Sequence, residues 1–328
     1  MKRQIEKESR GGLKALLGSQ RIIALLTLTV LFVFFSLFGK NFFTRDSVVN
    51  LFESSYYTLC LAMGMTFIVA TGGIDLSIGT VAMCGAVIGG AAYNVWHFPM
   101  WLSLIVILLV TMTFGAVNGF MVSVLKIPPF VATMGSMMIS QGVGYIVSSV
   151  QTMRYPIITD PDGWFKRLFF KTVSGFPMGV FWVGLLFFTA VFLMRYTRFG
   201  KYVCAIGSNK EATRLSGVNT RKWEWIAYIV SGVFTGFGGM FYAATYTSVI
   251  PGSGSGNEMN ALAAVVIGGT SLAGGYGTIL GTLIGVFIMS ILKNGLLTVG
   301  LQQQWQVLFT GLAVLLAVYL DIRRNRKK

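Results

Sequence analysis

Long stretches of this chain contain no Asp, Glu, Lys or Arg, and short polar segments separate them. The longest, 76–125, must hold two helices, with a break near Pro99 and the aromatic residues before it. A helix needs about 20 apolar residues to cross a bilayer, and these segments lack the period-two alternation of a membrane β-barrel. The pattern predicts an all-α polytopic membrane protein of about ten transmembrane helices, at 22–38, 50–71, 76–96, 101–125, 129–149, 176–194, 225–249, 259–274, 278–298 and 303–320.

The composition agrees with a membrane protein and excludes several other classes. Of the 328 residues, 54% are hydrophobic and 11% are charged, and the mean hydropathy is +0.71. Soluble domains carry about 25% charged residues, so this chain has too few to cover a water-exposed surface of its size. Soluble enzymes, nucleic-acid-binding modules and disulfide scaffolds are therefore excluded as descriptions of the whole chain.

The basic residues behind the formal net charge of +15 lie at the ends of the apolar segments. This placement is typical of residues that set the orientation of membrane spans and does not indicate nucleic-acid binding. The positive-inside rule places both termini in the cytoplasm, and eight spans would satisfy it as well as ten. The predicted parts are a cytoplasmic tail at 1–21, a transmembrane domain at 22–320 with a cytoplasmic loop at 195–222 and an outer surface loop at 151–175, and a basic cytoplasmic tail at 321–328.

Glycines four residues apart recur along the apolar segments. Small residues let helix backbones approach closely in a bilayer, so these pairs predict helix-packing faces without identifying a function. They are Gly85/Gly89, Gly115/Gly119, Gly232/Gly236 and Gly281/Gly285.

A polar turn interrupts the apolar sequence at 72–80. Asp75 is the only charged residue between Glu53 and Lys126. A carboxylate in or near hydrocarbon is costly and favours a functional role. Alternatively, Asp75 and Ser77 cap the next helix at a membrane-boundary turn. Both interpretations hold if the turn forms a gate, whose candidate residues are Gly72, Gly73, Asp75, Ser77 and Gly79.

A second glycine-rich break lies at 266–275 and echoes the sequence at 69–77. Interrupted apolar segments in two parts of a chain are typical of transporters with repeated halves, although glycine-rich runs also resemble each other by chance. The window 259–292 is either one long kinked helix or two short helices that meet inside the membrane. The candidate residues of this break are Gly268, Gly269, Gly274 and Gly275.

The basic loop 195–222 is the longest polar connection between predicted spans. Asn209 is suited to cap a short helix over 210–216, and Gly217 is suited to end it. Such a helix, lying across the membrane face, can transmit force from a partner protein. The simpler alternative is a basic connector that only sets topology.

Recognisable catalytic chemistry is missing from the sequence. There is no GxxxxGK[ST] phosphate-binding loop, no nucleophile paired with a base, and no His, Cys or acidic cluster for a metal. Catalytic, cofactor and metal residues are therefore predicted as none, and any energy from ATP must come from a partner. A membrane-embedded enzyme would need such a cluster. A secondary transporter or channel without an ATPase stays open, although ion coupling normally uses several intramembrane ionisable groups.

Several blocks resemble one family, the inner-membrane permeases of ribose-type monosaccharide ABC importers. The first is the run Gly-Gly-Ile-Asp-Leu-Ser-Ile-Gly at 72–79, and the second comprises 197–200 and 205–217. The third includes 266–270, Gly-Gly at 274–275, Gly-Thr at 277–278 and Gly-Thr at 281–282; Trp305-Gln306 and Asp321 also fit. The resemblance covers about 22–321.

The resemblance implies a permease fold similar to that of vitamin B12 importers, in a bacterial inner membrane. It implies pairing with a second permease copy or paralogue, two cytoplasmic ABC ATPase domains that use ATP and Mg²⁺, and an extracytoplasmic sugar-binding protein that delivers a small sugar. No nucleic acid is expected. The residues expected on or near the ATPase-coupling loop are Arg198, Gly200, Gly207, Asn209, Glu211, Ala212, Arg214 and Gly217.

The mechanism that follows is alternating access between two permease copies. Closure of the ATPase subunits is expected to move the loop 198–217, and the breaks at 72–79 and 268–277 are expected to let helices repack. Position in the spans suggests hydroxyl, amide and aromatic groups for contact with the sugar, with Phe130, Gln141, Tyr145 and Tyr242 as examples.

Overall fold

The computed structural model describes residues 20–170, 172–173 and 176–325. Helices dominate these residues. They are α1 (Gln20–Phe38), α2 (Arg45–Ala70), α3 (Ile78–Asn94), α4 (Met100–Ser123), α5 (Pro129–Ser148), α6 (Trp164–Phe170), α7 (Met178–Tyr196), α8 (Arg198–Ser208), α9 (Lys210–Leu215), α10 (Thr220–Tyr246), α11 (Asn257–Ile267), α12 (Ile279–Thr298) and α13 (Gln303–Asn325).

Four two-residue strands form two small antiparallel ladders. Strand β1 (Met153–Arg154) pairs with β4 (Ser248–Val249), and β2 (Thr172–Val173) pairs with β3 (Phe176–Pro177). The first ladder ties the segment after α5 to the end of α10. The strands are too short to form a layer of their own.

The polytopic helical class is confirmed, and each predicted span overlaps one of these helices, although α11 ends at Ile267, before the predicted end at 274. In the described part of the chain, α4, α5, α7, α10 and α12 are long and apolar enough to cross a membrane. Four shorter apolar stretches lie at Ile22–Phe38, Ile78–Asn94, Asn257–Ile267 and Gln304–Leu316. The window 259–292 holds two helices, α11 and α12, separated by an irregular turn at 268–278. The predicted tail at 1–21 lies almost wholly outside the described residues, as do residues 326–328.

The core forms where α10 packs between α2 and α4, as the glycine spacing predicts. A methyl group on Gly115 of α4 would come within 2.5 Å of the Tyr228 carbonyl oxygen on α10. A methyl group on Gly232 of α10 would come within 2.6 Å of the Thr111 carbonyl oxygen on α4. The two glycines thus let these backbones touch, as small residues do in bilayers.

The ends of the helices define two faces of the bundle. Helix α7 leads from α6 to α8, and α10 leads from α9 to β4, so α8 and α9 lie at the opposite end from α6 and the β1–β4 ladder. We call these ends the α9 face and the α6 face. Any link between the two must run along the helices.

The stretch 151–175 is more than the outer surface loop that was expected. Phe165 and Phe169 on α6 are buried, and their rings pack together with the ring of Phe241 on α10. The Tyr155 hydroxyl donates to the Ala86 carbonyl oxygen at 2.6 Å. The expectation rested on Asp160, Asp162, Trp164 and nearby basic residues and did not weigh Phe165 and Phe169, which bury apolar area when they fold back onto the bundle.

Candidate coupling and gating site

Local capping explains why the basic loop folds into two short helices. Thr197 accepts a hydrogen bond from the Gly200 amide at 3.4 Å and begins α8. Asn209 accepts from the Ala212 amide at 2.9 Å and begins α9. Gly217 follows the end of α9 with φ of +82°, a conformation that glycine adopts without strain. The predicted capping of a short helix by Asn209 and its end at Gly217 are confirmed.

Helix α9 presents an almost fully exposed surface. Glu211, Ala212, Arg214 and Leu215 are exposed, and Leu215 is 74% exposed. The Arg214 guanidinium donates to both carboxylate oxygens of Glu211, at 2.6 and 3.0 Å. This hydrogen bonding holds the pKa of Glu211 below its usual range. An exposed apolar tip beside a charged pair is suited to a docking contact.

Two polar contacts fix α9 to the bundle. The Thr213 hydroxyl lies 2.9 Å from the Ala205 carbonyl oxygen on α8. The Lys210 ammonium lies 2.6 Å from the carboxylate of the buried Glu224 on α10.

Burial lowers the pKa of Lys126, in the loop between α4 and α5, and the neighbouring Lys210 charge lowers it further. The α9 face therefore brings together basic residues that the sequence places in separate loops.

The last turn of α8 meets the ends of two other segments at a glycine contact. The Gly275 amide donates to the Ala70 carbonyl oxygen, at the end of α2, at 3.0 Å. A methyl group on Gly207 would overlap both this carbonyl oxygen and this amide nitrogen. Gly207 therefore sits directly against the bond that joins the two breaks.

The neighbouring glycines complete this contact, which we call the glycine junction: Gly72, Gly207, Gly274 and Gly275. Gly274 and Gly275 have φ of +82° and +81°. A methyl group on Gly274 would lie 2.8 Å from the Gly72 amide nitrogen and 2.9 Å from the Gly207 Cα. A methyl group on Gly275 would lie 3.0 Å from the Ser208 Cα. The structure thus joins residues from all three blocks predicted to act together.

The sequence echo between the two breaks corresponds to equivalent helix ends. After α2, Gly72 has φ of +84° and the Gly73 amide donates to the Ile68 carbonyl oxygen. After α11, Gly269 has φ of +94° and the Thr270 amide donates to the Val265 carbonyl oxygen. Both are helix ends in which a left-handed glycine satisfies the last carbonyl groups.

The second break also packs its two helices tightly. Gly268 and Gly281 lie so close that a methyl group on either would overlap the other's carbonyl oxygen. A methyl group on Gly285 of α12 would likewise overlap Ala264 of α11. Gly268 therefore serves the α11–α12 contact and Gly269 the end of α11, whereas Gly274 and Gly275 serve the junction.

Asp75 does not cap α3 in the expected way. Its Oδ1 accepts from the Ser77 amide at 2.8 Å and from the Ser77 hydroxyl at 2.6 Å. Ser77, the residue before α3, makes no side-chain capping bond. The Asp75 carboxylate accepts from Ser77 and not from the free amides in the first turn of α3. Asp75 instead fixes the turn that leads into α3.

A buried polar network continues from Ser77 into α4 and α5. The Asn118 amide donates to the Ser77 hydroxyl at 2.9 Å, and the Ser136 hydroxyl donates to the Asn118 carbonyl oxygen. The Leu76 amide donates to the Thr133 hydroxyl at 3.1 Å. These bonds cross three helices, and satisfied polar networks of this kind specify one arrangement in a low-dielectric interior.

A second buried carboxylate lies near the first turn of α3. Glu258 of α11 is 5% exposed, and its Oε1 accepts from the Gly256 amide at 2.8 Å. Its Oε2 makes no hydrogen bond, and a methyl group on Gly79 would lie 2.7 Å from it. The absence of a side chain at Gly79 leaves room for this carboxylate.

The remaining predicted residues lie apart from the junction. Arg198 is exposed at the start of α8, while Gly200 packs against the Met194 backbone of α7. Gly73 lies against Tyr228 of α10. These residues support the ends of α2 and α8 without contacting Gly207.

Sequence reasoning missed the partners that connect the blocks. Thr66 of α2 and Thr282 of α12 share a buried hydrogen bond at 2.7 Å. Asn118 and Glu224 were also missed. For Thr66, Thr282 and Asn118 the available signal is a polar residue inside an apolar helix, since such residues need a partner in the bilayer. Glu224 lies in the polar first turns of α10 and gives no such signal.

The fold and this site define a polytopic helical membrane protein in which the exposed α9 packs on α8, and α8 contacts the end of α2 and the turn before α12 through glycines. Comparison with known proteins identifies the family. Residues 47–318 match the model for the permease component of branched-chain amino acid transport systems. The chain belongs to this family of transport permeases.

Relatives agree with this assignment over nearly the full chain. The ribose import permease RbsC of Escherichia coli K12 is 35% identical over 315 residues, 95% of this chain and 96% of the relative. RbsC of Haemophilus influenzae is 32% identical, with 92% and 93% covered. The autoinducer 2 import system permease LsrC of Photorhabdus luminescens is 31% identical, with 95% and 92% covered. No solved structure matches significantly.

These findings confirm two sequence-based predictions. The resemblance to ribose-type ABC permeases is confirmed, and so is a multi-pass location in the bacterial inner membrane.

Proposed function

We propose that this chain is the permease subunit of an ATP-driven, binding-protein-dependent importer of a ribose-like monosaccharide. The RbsC relatives are named as ribose import permeases, which supports a ribose-like monosaccharide as the substrate class. The exposed α9 and the glycine junction support an energy source outside this chain, because α9 packs on α8, and α8 contacts the end of α2 and the turn before α12 at the junction. A dimer of this chain, or of this chain and a paralogue, encloses the pathway.

Helix α9 is the element that contacts the ATPase in this proposal. Its exposed side offers Leu215 as an apolar anchor and the Glu211–Arg214 pair as a charged rim. Both termini and α9 lie in the cytoplasm, in keeping with the positive-inside rule. The chain itself hydrolyses no ATP; the partner subunits bind ATP and Mg²⁺.

Motion reaches the membrane segments through the junction. A displacement of α8 moves Gly207, which lies against the Ala70–Gly275 hydrogen bond. Because this bond joins the end of α2 to the turn before α12, both helices shift together. Alternating access then follows as a repacking of helices around the two breaks.

The experiment is uptake by proteoliposomes that contain the chain with its ATPase, with binding protein outside and ATP inside. We expect radiolabelled D-ribose to accumulate only with hydrolysable ATP, and leucine, the control suggested by the family description, not to accumulate. Leucine uptake without ribose uptake contradicts the sugar assignment. Arg214→Glu should abolish ATPase association, while Arg195→Glu, on the same face but outside α9, should preserve it.

One observation keeps a secondary transporter as the second candidate. Asp75 and Glu258 are both buried carboxylates, and carboxylates in membrane segments carry protons in many transporters. That function requires ribose uptake without ATP and its loss when a protonophore is added. The same proteoliposomes distinguish the two candidates.

A further inference from the structure

A polar cleft lies at the end of the bundle opposite to the glycine junction. It has a volume of about 210 Å³ and is lined by side chains from α2, α10, α11, α12 and α13. Tyr57 precedes Ala70 by 13 residues on the same helix, which places it about 20 Å from the junction at 1.5 Å per residue. The cleft therefore belongs to the half of the bundle nearer the α6 face.

The lining of this cleft is unusual for a membrane helix bundle. Asn260 of α11, with Ser290 and Asn294 of α12, contributes amides and a hydroxyl, and Lys293 contributes an ammonium group. Polar groups in a bilayer interior are costly unless they find partners. The Asn294 amide donates to the Ser290 carbonyl oxygen at 3.0 Å and to the Ser54 hydroxyl at 3.4 Å, which leaves its carbonyl oxygen as an acceptor for a hydroxyl group of a solute.

Aromatic rings form one wall of the cleft. Tyr57 is buried, and its ring centroid lies 6.4 Å from that of Tyr246 at the end of α10. Both rings contact Tyr242, at 5.4 and 4.6 Å between centroids. An apolar ring face beside amides and hydroxyls matches a solute that has C–H faces and several hydroxyl groups.

A neighbouring groove has an apolar lining that contrasts with the polar cleft. On the other side of α12, a groove of about 370 Å³ is lined by apolar residues including Phe32, Phe52 and Phe287. An acyl chain fits that groove without leaving polar groups unsatisfied. An acyl chain in the polar cleft would leave the polar Asn260 and Lys293 side chains surrounded by hydrocarbon, which is energetically costly.

We propose that the polar cleft lined by Tyr57, Tyr246, Asn260, Ser290, Lys293 and Asn294 is a low-affinity binding site for a neutral polyhydroxylated solute. This inference rests on the proposed function, which puts the α6 face outside, where the binding protein delivers its sugar. The site receives the solute in the outward half of the pathway. Paired amides bind vicinal hydroxyls, and the tyrosines hold the ring of the solute.

Cysteine protection tests occupancy without requiring transport. In a Cys204→Ser background the other two cysteines, Cys60 and Cys84, are buried. We expect D-ribose at high millimolar concentration to slow alkylation of Asn260→Cys in the full-length chain by about tenfold, and leucine to have no effect. Ser255→Cys, exposed in the loop between β4 and α11 and outside the cleft lining, is the control and should react equally fast with or without ribose.

Transport separates failure of the site from failure of the proposed function. In the reconstituted importer, Asn260→Leu and Tyr246→Ala should lower maximal ribose uptake about tenfold while ATP hydrolysis persists, and Ser255→Ala should not. If the wild type imports ribose but ribose protects nothing and these variants transport normally, the cleft is not the site. If the wild type imports no ribose, the sugar assignment of the proposed function fails. Protection of Asn260→Cys by leucine is a separate result and would overturn the cleft proposal.

Discussion

The Ala70 carbonyl oxygen accepts a hydrogen bond from the Gly275 amide at 3.0 Å, although the two residues lie far apart in the sequence. This bond joins the end of α2 to the turn between α11 and α12, and Gly207 of α8 lies against both of its atoms. A short helix exposed on the α9 face is thereby linked to the two breaks in the bundle.

Gly275→Ala should destabilise the protein more than Gly300→Ala. Both glycines have positive φ, +81° and +85°, so an alanine is strained similarly at either position. A methyl group on Gly275 also meets Ser208, whereas a methyl group on Gly300 meets nothing within 4 Å. We expect an additional loss of about 1–2 kcal/mol in unfolding free energy, measured in detergent. Equal losses would show that the junction is loosely packed.

Asp75→Ala should destabilise the protein more than Asp75→Asn. Asn retains an oxygen that can accept from the Ser77 amide and hydroxyl, whereas Ala leaves these buried groups without their acceptor. The expected difference is about 1–3 kcal/mol in unfolding free energy. If Asn is as damaging as Ala, the negative charge and not the hydrogen-bond geometry is what the turn requires.

Thr66 and Thr282 should show coupled effects on stability. Their hydroxyl groups lie 2.7 Å apart between α2 and α12. Valine at either position removes the shared bond while keeping a similar shape, so the double variant should lose less than the sum of the single variants. A double-mutant cycle should give a coupling of about 0.6 kcal/mol. Strict additivity would mean that the hydroxyl groups contribute independently.

Lys210→Met should loosen α9 from α10. Glu224 is 6% exposed and would lose its cationic partner at 2.6 Å. Because the Lys210 side chain is 43% exposed, solvent screens part of the effect, and we expect a loss of about 1–2 kcal/mol in unfolding free energy. Lys210→Met combined with Glu224→Leu should recover part of this loss. Limited proteolysis of α9 measures the loosening directly, and unchanged cleavage would contradict it.

The sequence alone predicted the helical segments because the bilayer fixes the length of an apolar run. It also predicted α9, because Asn209 and Gly217 give local signals for the start and end of a helix. The glycine junction could not be predicted in this way. Contacts among Gly72, Gly207 and Gly275 depend on how distant helix ends meet, and the sequence showed only three glycine-rich segments and an echo between two of them.

Other residues gave only weak signals. Asn118 lies within the apolar helix α4, and nothing nearby in the sequence indicates its partner Ser77. The expected capping role of Asp75 was wrong in detail, because a turn that leads into a helix and a cap on that helix have the same local sequence. Only tertiary packing decides which groups the carboxylate reaches.

Coupling between ATP hydrolysis and transport is the central claim, and the most direct test compares Gly207→Ala with Gly184→Ala. A methyl group on Gly207 overlaps the Ala70–Gly275 bond, while one on Gly184 in α7 meets nothing within 4 Å. In reconstituted importers of equal thermal stability, we measure D-ribose transported per ATP hydrolysed. The account predicts a ratio about tenfold below wild type for Gly207→Ala and an unchanged ratio for Gly184→Ala. A wild-type ratio for Gly207→Ala would contradict it.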